Sequence, residues 1–177
     1  FLFNTLGTLK WIAVNNEAPP DISKGITSLT QLLQSVLLSK DAMIPLREEL
    51  DNLAHYFTLQ KIRYGDCFQV VYKVDETALD QKIPRFILQP LAENAVLHGS
   101  EGGGRRITIT VKCISILGGV LLEIADDGAG FEQMRPRGIG ISNVDERLRL
   151  HYGRSHKLKV KSAIGKGTVC RVLVPEA

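Results

Sequence analysis

With 177 residues, 19.6 kDa, 44% hydrophobic and 23% charged residues, the chain has the composition of one globular domain, or of one domain with a small helical appendage; collagen-like, low-complexity and intrinsically disordered classes are excluded. Its 22 basic against 19 acidic residues leave a net charge of only +3, and apart from a lysine alternation over 157–161 the basic residues are scattered, so the charge singles out no nucleic-acid partner. Cys67, Cys113 and Cys170 are odd in number, far apart and set in apolar contexts without metal-ligand spacing, which fits a reduced, cytoplasmic setting. The longest apolar stretch, 114–125, is broken by Gly118, Gly119 and Glu123 and falls short of the roughly 18 residues a membrane span needs. Because the chain opens on Phe1 and carries no signal-peptide pattern, it reads as a piece of a longer protein.

Along the chain, the first 65 residues are patterned as helices. Leu2, Leu6, Leu9 and Ala13 recur at helical spacing before a stop at Pro19 and Pro20. A second stripe follows at Ile26, Leu29, Leu33, Val36 and Leu37, and a third at Leu46, Leu50, Leu53, Phe57 and Gln60. The two prolines make a corner between antiparallel helices. Such a hairpin cannot enclose a core alone, so it is expected to dimerise into a four-helix bundle.

From residue 66 the pattern becomes alternating, most clearly at Ile107, Ile109, Val111 and Cys113 against Thr108, Thr110 and Lys112. With similar runs at 68–74, 120–125, 158–161 and 169–174, about five strands are expected. Helices are expected over 84–98, with Pro90 kinking or restarting the first, and over 142–152. The fold class is therefore α+β: a two-layer α/β sandwich over 66–177, preceded by the helical hairpin over 1–65.

Four segments carry candidate chemistry. LQPLAENAVLHG (88–99) puts Pro90, Asn94 and His98 on one helical face. The Asn94 amide oxygen suits Mg²⁺, a hard ion that keeps phosphates and water in the rest of its shell; polar residues on a half-exposed helix would look the same. DDGAG (126–130) ends a strand with a carboxylate able to accept from an exocyclic amine such as that of adenine, and Gly128 lets a flat ring near the backbone; an ordinary Asp-Gly turn is the alternative. RGIGISN (137–143) sets Gly138 and Gly140 ahead of a helix whose amides can meet phosphate. It lacks a preceding strand and a third glycine, so a Rossmann fingerprint fails, and no Walker A sequence occurs. The stretch 131–136 could form a lid, with Arg135 or Arg137 facing phosphate or simply solvated. GKGT (165–168) is a tight turn into the last strand, which a plain hairpin would also show. Their order along one chain is the informative feature.

Asn on a helix, Asp-x-Gly-x-Gly after a strand, Gly-x-Gly before a helix and Gly-x-Gly-Thr before a strand together resemble the N, G1, G2 and G3 boxes of the Bergerat-type ATP-binding domain, shared by gyrase, the ninety-kilodalton heat-shock chaperone, MutL and sensor histidine kinases. The resemblance covers roughly 66–175. It implies that Asn94 binds Mg²⁺, Asp126 reads the adenine amine, Gly128 and Gly130 shape the purine pocket, Gly138 and Gly140 approach the phosphates and Thr168 lies near the base. His98 and Arg137 join them as ATP-facing residues.

FLFNTL at the start, EEL followed by YFTLQKIRYG, and GIGISNVDERLRLHYG resemble the LytS-like and YehU-like sensor kinases. In that group the phosphoacceptor box reads His-Phe-Leu-Phe-Asn, which places the accepting histidine just before Phe1; His55, His98, His151 and His156 do not occupy that position. Where hydrolase members carry a water-activating Glu one turn before the Asn, this chain has Pro90. Glu93, adjacent to Asn94, projects about 100° away round the helix. Transfer to an imidazole is thus favoured over transfer to water.

The resemblance accordingly implies the cytoplasmic catalytic part of a membrane-anchored two-component sensor kinase. It would use ATP and Mg²⁺, form a homodimer through its N-terminal helices and hand phosphate to a response regulator. It would bind no nucleic acid and meet the membrane only through upstream segments. An ATP-hydrolysing clamp and a non-catalytic nucleotide-binding dimerisation module are the rivals; the serine-kinase anti-sigma factors share the ATP site but not the helical front end.

Overall fold

The computed structural model describes residues 5, 19–38, 41–99, 106–132 and 139–176. The stripe at Leu2, Leu6, Leu9 and Ala13 lies outside this set, as do Arg135, Arg137, Gly138 and the side chain of His98. The first long element is α1 (Pro19–Leu38). Pro19 and Pro20 are its first two residues, where a missing N–H costs nothing because the first-turn donors have no intrahelical partner; the helix expected before this corner lies outside the described residues. The strand β1 (Met43–Pro45) leads directly into α2 (Leu46–Tyr64), which ends at Gly65 with φ 62°. The two helices pack against each other as an antiparallel hairpin.

Beyond a 3₁₀ turn at Gly65–Cys67 come β2 (Phe68–Val74), β3 (Lys82–Pro84) and α3 (Leu88–Gly99). Next are β4 (Ile107–Ile116), β5 (Gly119–Asp126), α4 (Ile139–Tyr152), β6 (Lys159–Ala163) and β7 (Gly167–Pro175). Five strands form one mixed sheet in the order β2-β4-β5-β7-β6. β2 runs parallel to β4, and the other neighbours are antiparallel.

Alternation decides which face is covered. Ile107, Ile109, Val111 and Cys113 on β4, Val120, Leu122 and Ile124 on β5, and Cys170, Val172 and Val174 on β7 all point inward and are buried. They share one cluster with Leu88, Leu91, Ala92, Ala95 and Val96 of α3, Val144 and Leu148 of α4, and Leu53, Tyr56 and Phe57 of α2. Helices thus cover one face of the sheet, the two-layer α+β sandwich expected, and the apolar face of α2 joins the same core. On the other face Leu121, Leu173, Lys159 and Arg171 border a shallow groove.

Two departures matter for the site. The helix expected from Pro84 begins four residues later, because Met43–Pro45 and Lys82–Pro84 pair as a small antiparallel ladder. Three-residue strands carry too little alternation to be seen in a sequence. Pro90 falls in the first turn of α3, so it neither breaks nor kinks the helix. The last helix, expected from Ser142, begins at Ile139, so Gly140 lies inside α4 rather than ahead of it. Its hypothetical Cβ would stand 3.5 Å from the Cβ of Pro90, an ordinary contact that records how closely α4 abuts α3.

Candidate functional site

Asp126 is the last residue of β5, and ladder register sets it opposite Thr168 of β7. The carboxylate is only 8% and the threonine 3% exposed. The Gly128 N–H donates to Asp126 Oδ1 at 3.0 Å, an Asx turn that fixes the carboxylate's orientation. The next carboxylate, Asp127, accepts the Thr108 N–H at 2.7 Å and anchors the loop to β4.

The loop after β5 then lies tightly on the β6–β7 turn. Gly130, at φ 63°, has no room for a side chain: a Cβ there would fall 2.0 Å from the carbonyl oxygen of Ala163. Gly167, at φ 77°, would set a Cβ 1.9 Å from the carbonyl oxygen of Asp126. The two glycine-bearing segments, with Asp126 and Gly165 39 positions apart in sequence, are thereby pressed together where β5 ends and β7 begins. The Gly165 N–H donates to the Ala129 carbonyl at 2.6 Å.

Ser162, a residue the sequence reading did not single out, ties this rim together. Its hydroxyl accepts from the Phe131 N–H at 2.9 Å, donates to the Gly167 carbonyl at 3.1 Å, and lies 3.0 Å from the Thr168 hydroxyl. The signal was present in KVKSA: Lys159 and Lys161 alternate with Val160 and Ser162, putting a hydroxyl at an inward position.

Asn94 stands half-buried on α3, which packs across β4, β5 and β7, the strands that carry or neighbour Asp126 and Thr168. α3 also packs against α4, so the segments holding Asn94, Asp126, Gly140 and Thr168 belong to one contiguous layer pair. The backbone at His98 belongs to α3. An adenine nucleotide suits this donor set: a buried carboxylate accepts a hydrogen bond from an exocyclic amine, and a neutral amide oxygen suits a hard cation.

The head of α3 is held from a distance. Glu49 of α2, 2% exposed, accepts the Leu88 N–H on Oε1 at 2.9 Å and the Phe86 N–H on Oε2 at 3.0 Å. Burial pushes this carboxyl above its ordinary range, against the opposing pull of the Leu88, Phe86 and Ile87 amides and the charge of Arg147. Phe86 has φ 55°, the left-handed region that a bulky residue rarely enters. The Arg85 and Arg147 guanidiniums lie 5.1 Å and 5.6 Å from its ring centroid. Arg147 of α4 also donates to the Arg85 carbonyl at 2.6 Å, while Arg85 donates to the Ser35 carbonyl of α1. Sequence reading passed over Glu49, yet it falls three residues after Leu46 and four before Leu53, on the apolar stripe itself.

Comparison with known proteins agrees with this architecture. The family model described as histidine kinase-, DNA gyrase B-, and HSP90-like ATPase matches residues 79–177, and the model described as histidine kinase matches residues 1–68. The chain therefore belongs to the histidine kinase, DNA gyrase B and HSP90-like ATPase family, on its histidine kinase branch.

Among its relatives is the sensor histidine kinase YesM of Bacillus subtilis (strain 168), 33% identical over 180 residues that cover 99% of this chain and 31% of that protein. The sensor protein kinase HptS of Staphylococcus aureus (strain USA300) is 25% identical over 189 residues, covering 99% of this chain and 36% of that protein. The chain thus spans about a third of the length of these relatives. In fold it is similar to the histidine kinase domain of the Erythrobacter litoralis EL346 blue-light activated histidine kinase, with TM-score 0.60 and 16% identity, covering 94% of this chain and 80% of that one. It is also similar to the Acinetobacter baumannii histidine kinase AdeS, with TM-score 0.58 and 11% identity, covering 98% and 94%. Among the described residues no helix is long and apolar enough to cross a membrane.

Proposed function

We propose that residues 66–177 bind Mg-ATP, and that residues 1–65 belong to a helical region that dimerises and presents a histidine lying before Phe1. The observation that carries this reading is the pairing of buried Asp126 with buried Thr168 across β5 and β7, with the carboxylate oriented by the Gly128 N–H. Asp126 accepts the adenine amino group, and Gly128 and Gly130 form the wall beside the ring. Asn94 supplies an oxygen to Mg²⁺, which when bound offsets phosphate charge. Gly140 faces the phosphates and Thr168 the base; the ATP-binding roles expected of the His98 side chain, Arg137 and Gly138 fall outside the described residues.

In this reading a neutral imidazole nitrogen attacks the γ-phosphorus and forms the N–P bond. The bond to the bridging oxygen breaks, and ADP leaves with the electron pair. Hydrolysis is disfavoured because Pro90, with no titratable group, stands one turn before Asn94. The phosphate then passes to the receiver domain of a response regulator. The parent protein is read as a membrane-anchored sensor with this portion in the cytoplasm.

Calorimetry tests the pocket. Asp126→Asn should weaken ATP binding by about 10- to 100-fold, the cost of replacing an anionic acceptor with an amide that also presents donors; unchanged affinity removes the adenine assignment. For the chemistry, the protein extended by a histidine before Phe1 should form an acid-labile phosphoryl adduct with γ-labelled ATP. Steady phosphate release without labelling would favour a hydrolysing clamp instead.

A further inference from the structure

The turn over residues 85–87 holds a bulky residue in a left-handed conformation immediately ahead of the helix that bears Asn94. Such strain persists only where surrounding contacts over-determine it. Here the contacts come from three helices. Glu49 of α2 takes both the Phe86 and Leu88 N–H groups, Arg147 of α4 binds the Arg85 carbonyl and covers the Phe86 ring, and Arg85 reaches the Ser35 carbonyl of α1.

A carboxylate at a helix N-terminus is favoured by the helix dipole. This one comes from a residue 39 positions away in sequence and spends both oxygens on the same turn. Two parallel bonds from one planar group fix direction as well as distance, which a single cap does not. Asn94 lies six residues beyond Leu88 on the same rigid helix, roughly 9 Å along its axis, so a shift of the helix head moves its amide. Asp126 is placed by other means, through the Gly128 N–H and the β5–β7 ladder.

We propose that Glu49 is a positioning residue for the nucleotide site: its fork of hydrogen bonds to Phe86 and Leu88 sets where α3 begins and therefore where Asn94 meets magnesium. The inference rests on the reading of Asn94 and Asp126 given above. It carries a signature that general loosening of the fold lacks, because the magnesium-dependent part of affinity should fall while the adenine contact stands. Glu49→Gln keeps size but replaces one acceptor with a donor facing an N–H, and Glu49→Asp keeps charge but loses reach.

The experiment is ATP titration by calorimetry, with magnesium and with excess chelator, on the protein and on Glu49→Gln, Glu49→Asp and Asp126→Asn. Both Glu49 variants should lose about tenfold in the magnesium arm, as for one charge-assisted hydrogen bond misplaced, and stay within about twofold in the chelator arm. Equal losses in both arms, no loss in either, or full recovery by Glu49→Asp would overturn the proposal. Asp126→Asn should lose affinity in both arms; if it does not, the nucleotide reading fails whatever Glu49 does, and so does the Asn94 assignment if the unaltered protein ignores magnesium. Should neither Glu49 variant fold, hydrogen exchange on the unaltered protein decides: the Phe86 and Leu88 amides should gain more protection from Mg-ATP than from metal-free ATP, and equal protection would overturn the proposal.

Discussion

The rim joining β5, β6 and β7 and the turn at the head of α3 each hold a candidate site residue, and they do so by opposite means. At the rim, backbone meets backbone. Gly130 and Gly167 are required because a Cβ at either would fall about where a carbonyl oxygen already sits, 2.0 and 1.9 Å away. At the helix head, side chains from α2 and α4 cross the interior to grip a turn that contains no glycine at all. A rim of the first kind is written in short local motifs. A hub of the second kind is written in residues scattered from 35 to 147.

The largest expected effect sharpens the rim half of that contrast. Gly167→Ala combines a left-handed backbone, at about 1–2 kcal/mol, with a collision against Asp126 that must move main chain, at about 1–3 kcal/mol. Denaturant unfolding should therefore show a loss of about 2–5 kcal/mol. Gly165→Ala is the internal control: its φ is 74° but nothing lies within 4 Å of the added carbon, so only the backbone cost of about 1–2 kcal/mol remains. Equal losses at the two positions would show that close approach at the rim contributes nothing.

Arg147→Ala probes the hub. It removes a charge-assisted bond to the Arg85 carbonyl, the guanidinium over Phe86, and the positive charge that favours ionised Glu49. A loss of about 1.5–3 kcal/mol is expected, and a loss below about 0.5 kcal/mol would mean that α2 grips the turn unaided. Ser162→Ala returns to the rim with a smaller step. It deletes the acceptor of the Phe131 N–H and the donor to the Gly167 carbonyl while leaving the backbone untouched. About 0.5–1.5 kcal/mol should be lost, and the backbone fit at Gly130 and Gly167 should survive.

The same contrast explains what could be read from the sequence. The five-stranded sheet was legible because Ile107, Ile109, Val111 and Cys113 alternate over a full strand, and Asp126 and Thr168 were legible because each adjoins glycines whose spacing is conspicuous. The ladder of Met43–Pro45 on Lys82–Pro84 was not, since three residues show no period and the pairing joins positions about 40 apart. That ladder draws Pro84 into a strand and delays α3 to Leu88. Gly140 was misplaced by the opposite error: a glycine was read as punctuation, whereas inside α4 it lies at the contact with Pro90. Glu49 illustrates a third kind of loss. Its position on the stripe of Leu46 and Leu53 marked it as inward-facing, but no local pattern names a partner that only the fold brings near.

The pH dependence of stability offers the smallest and most selective test of the hub. The Glu49 carboxyl is raised above its ordinary 4.5, chiefly by burial, despite the amides of Leu88, Phe86 and Ile87 and the charge of Arg147. Between 4.5 and the folded-state value the native protein therefore holds a proton that the unfolded chain has released. Glu49 thus favours folding most below 4.5, loses that contribution as pH climbs through the window, and has no further slope above the folded value. One proton corresponds to a slope of at most about 1.4 kcal/mol per pH unit. Unfolding curves for the protein and for Glu49→Gln, taken across this window, should differ by such a segment and run parallel above it. Curves parallel throughout would mean that the carboxyl releases its proton as readily inside the protein as in water, and that the amides and Arg147 offset burial completely.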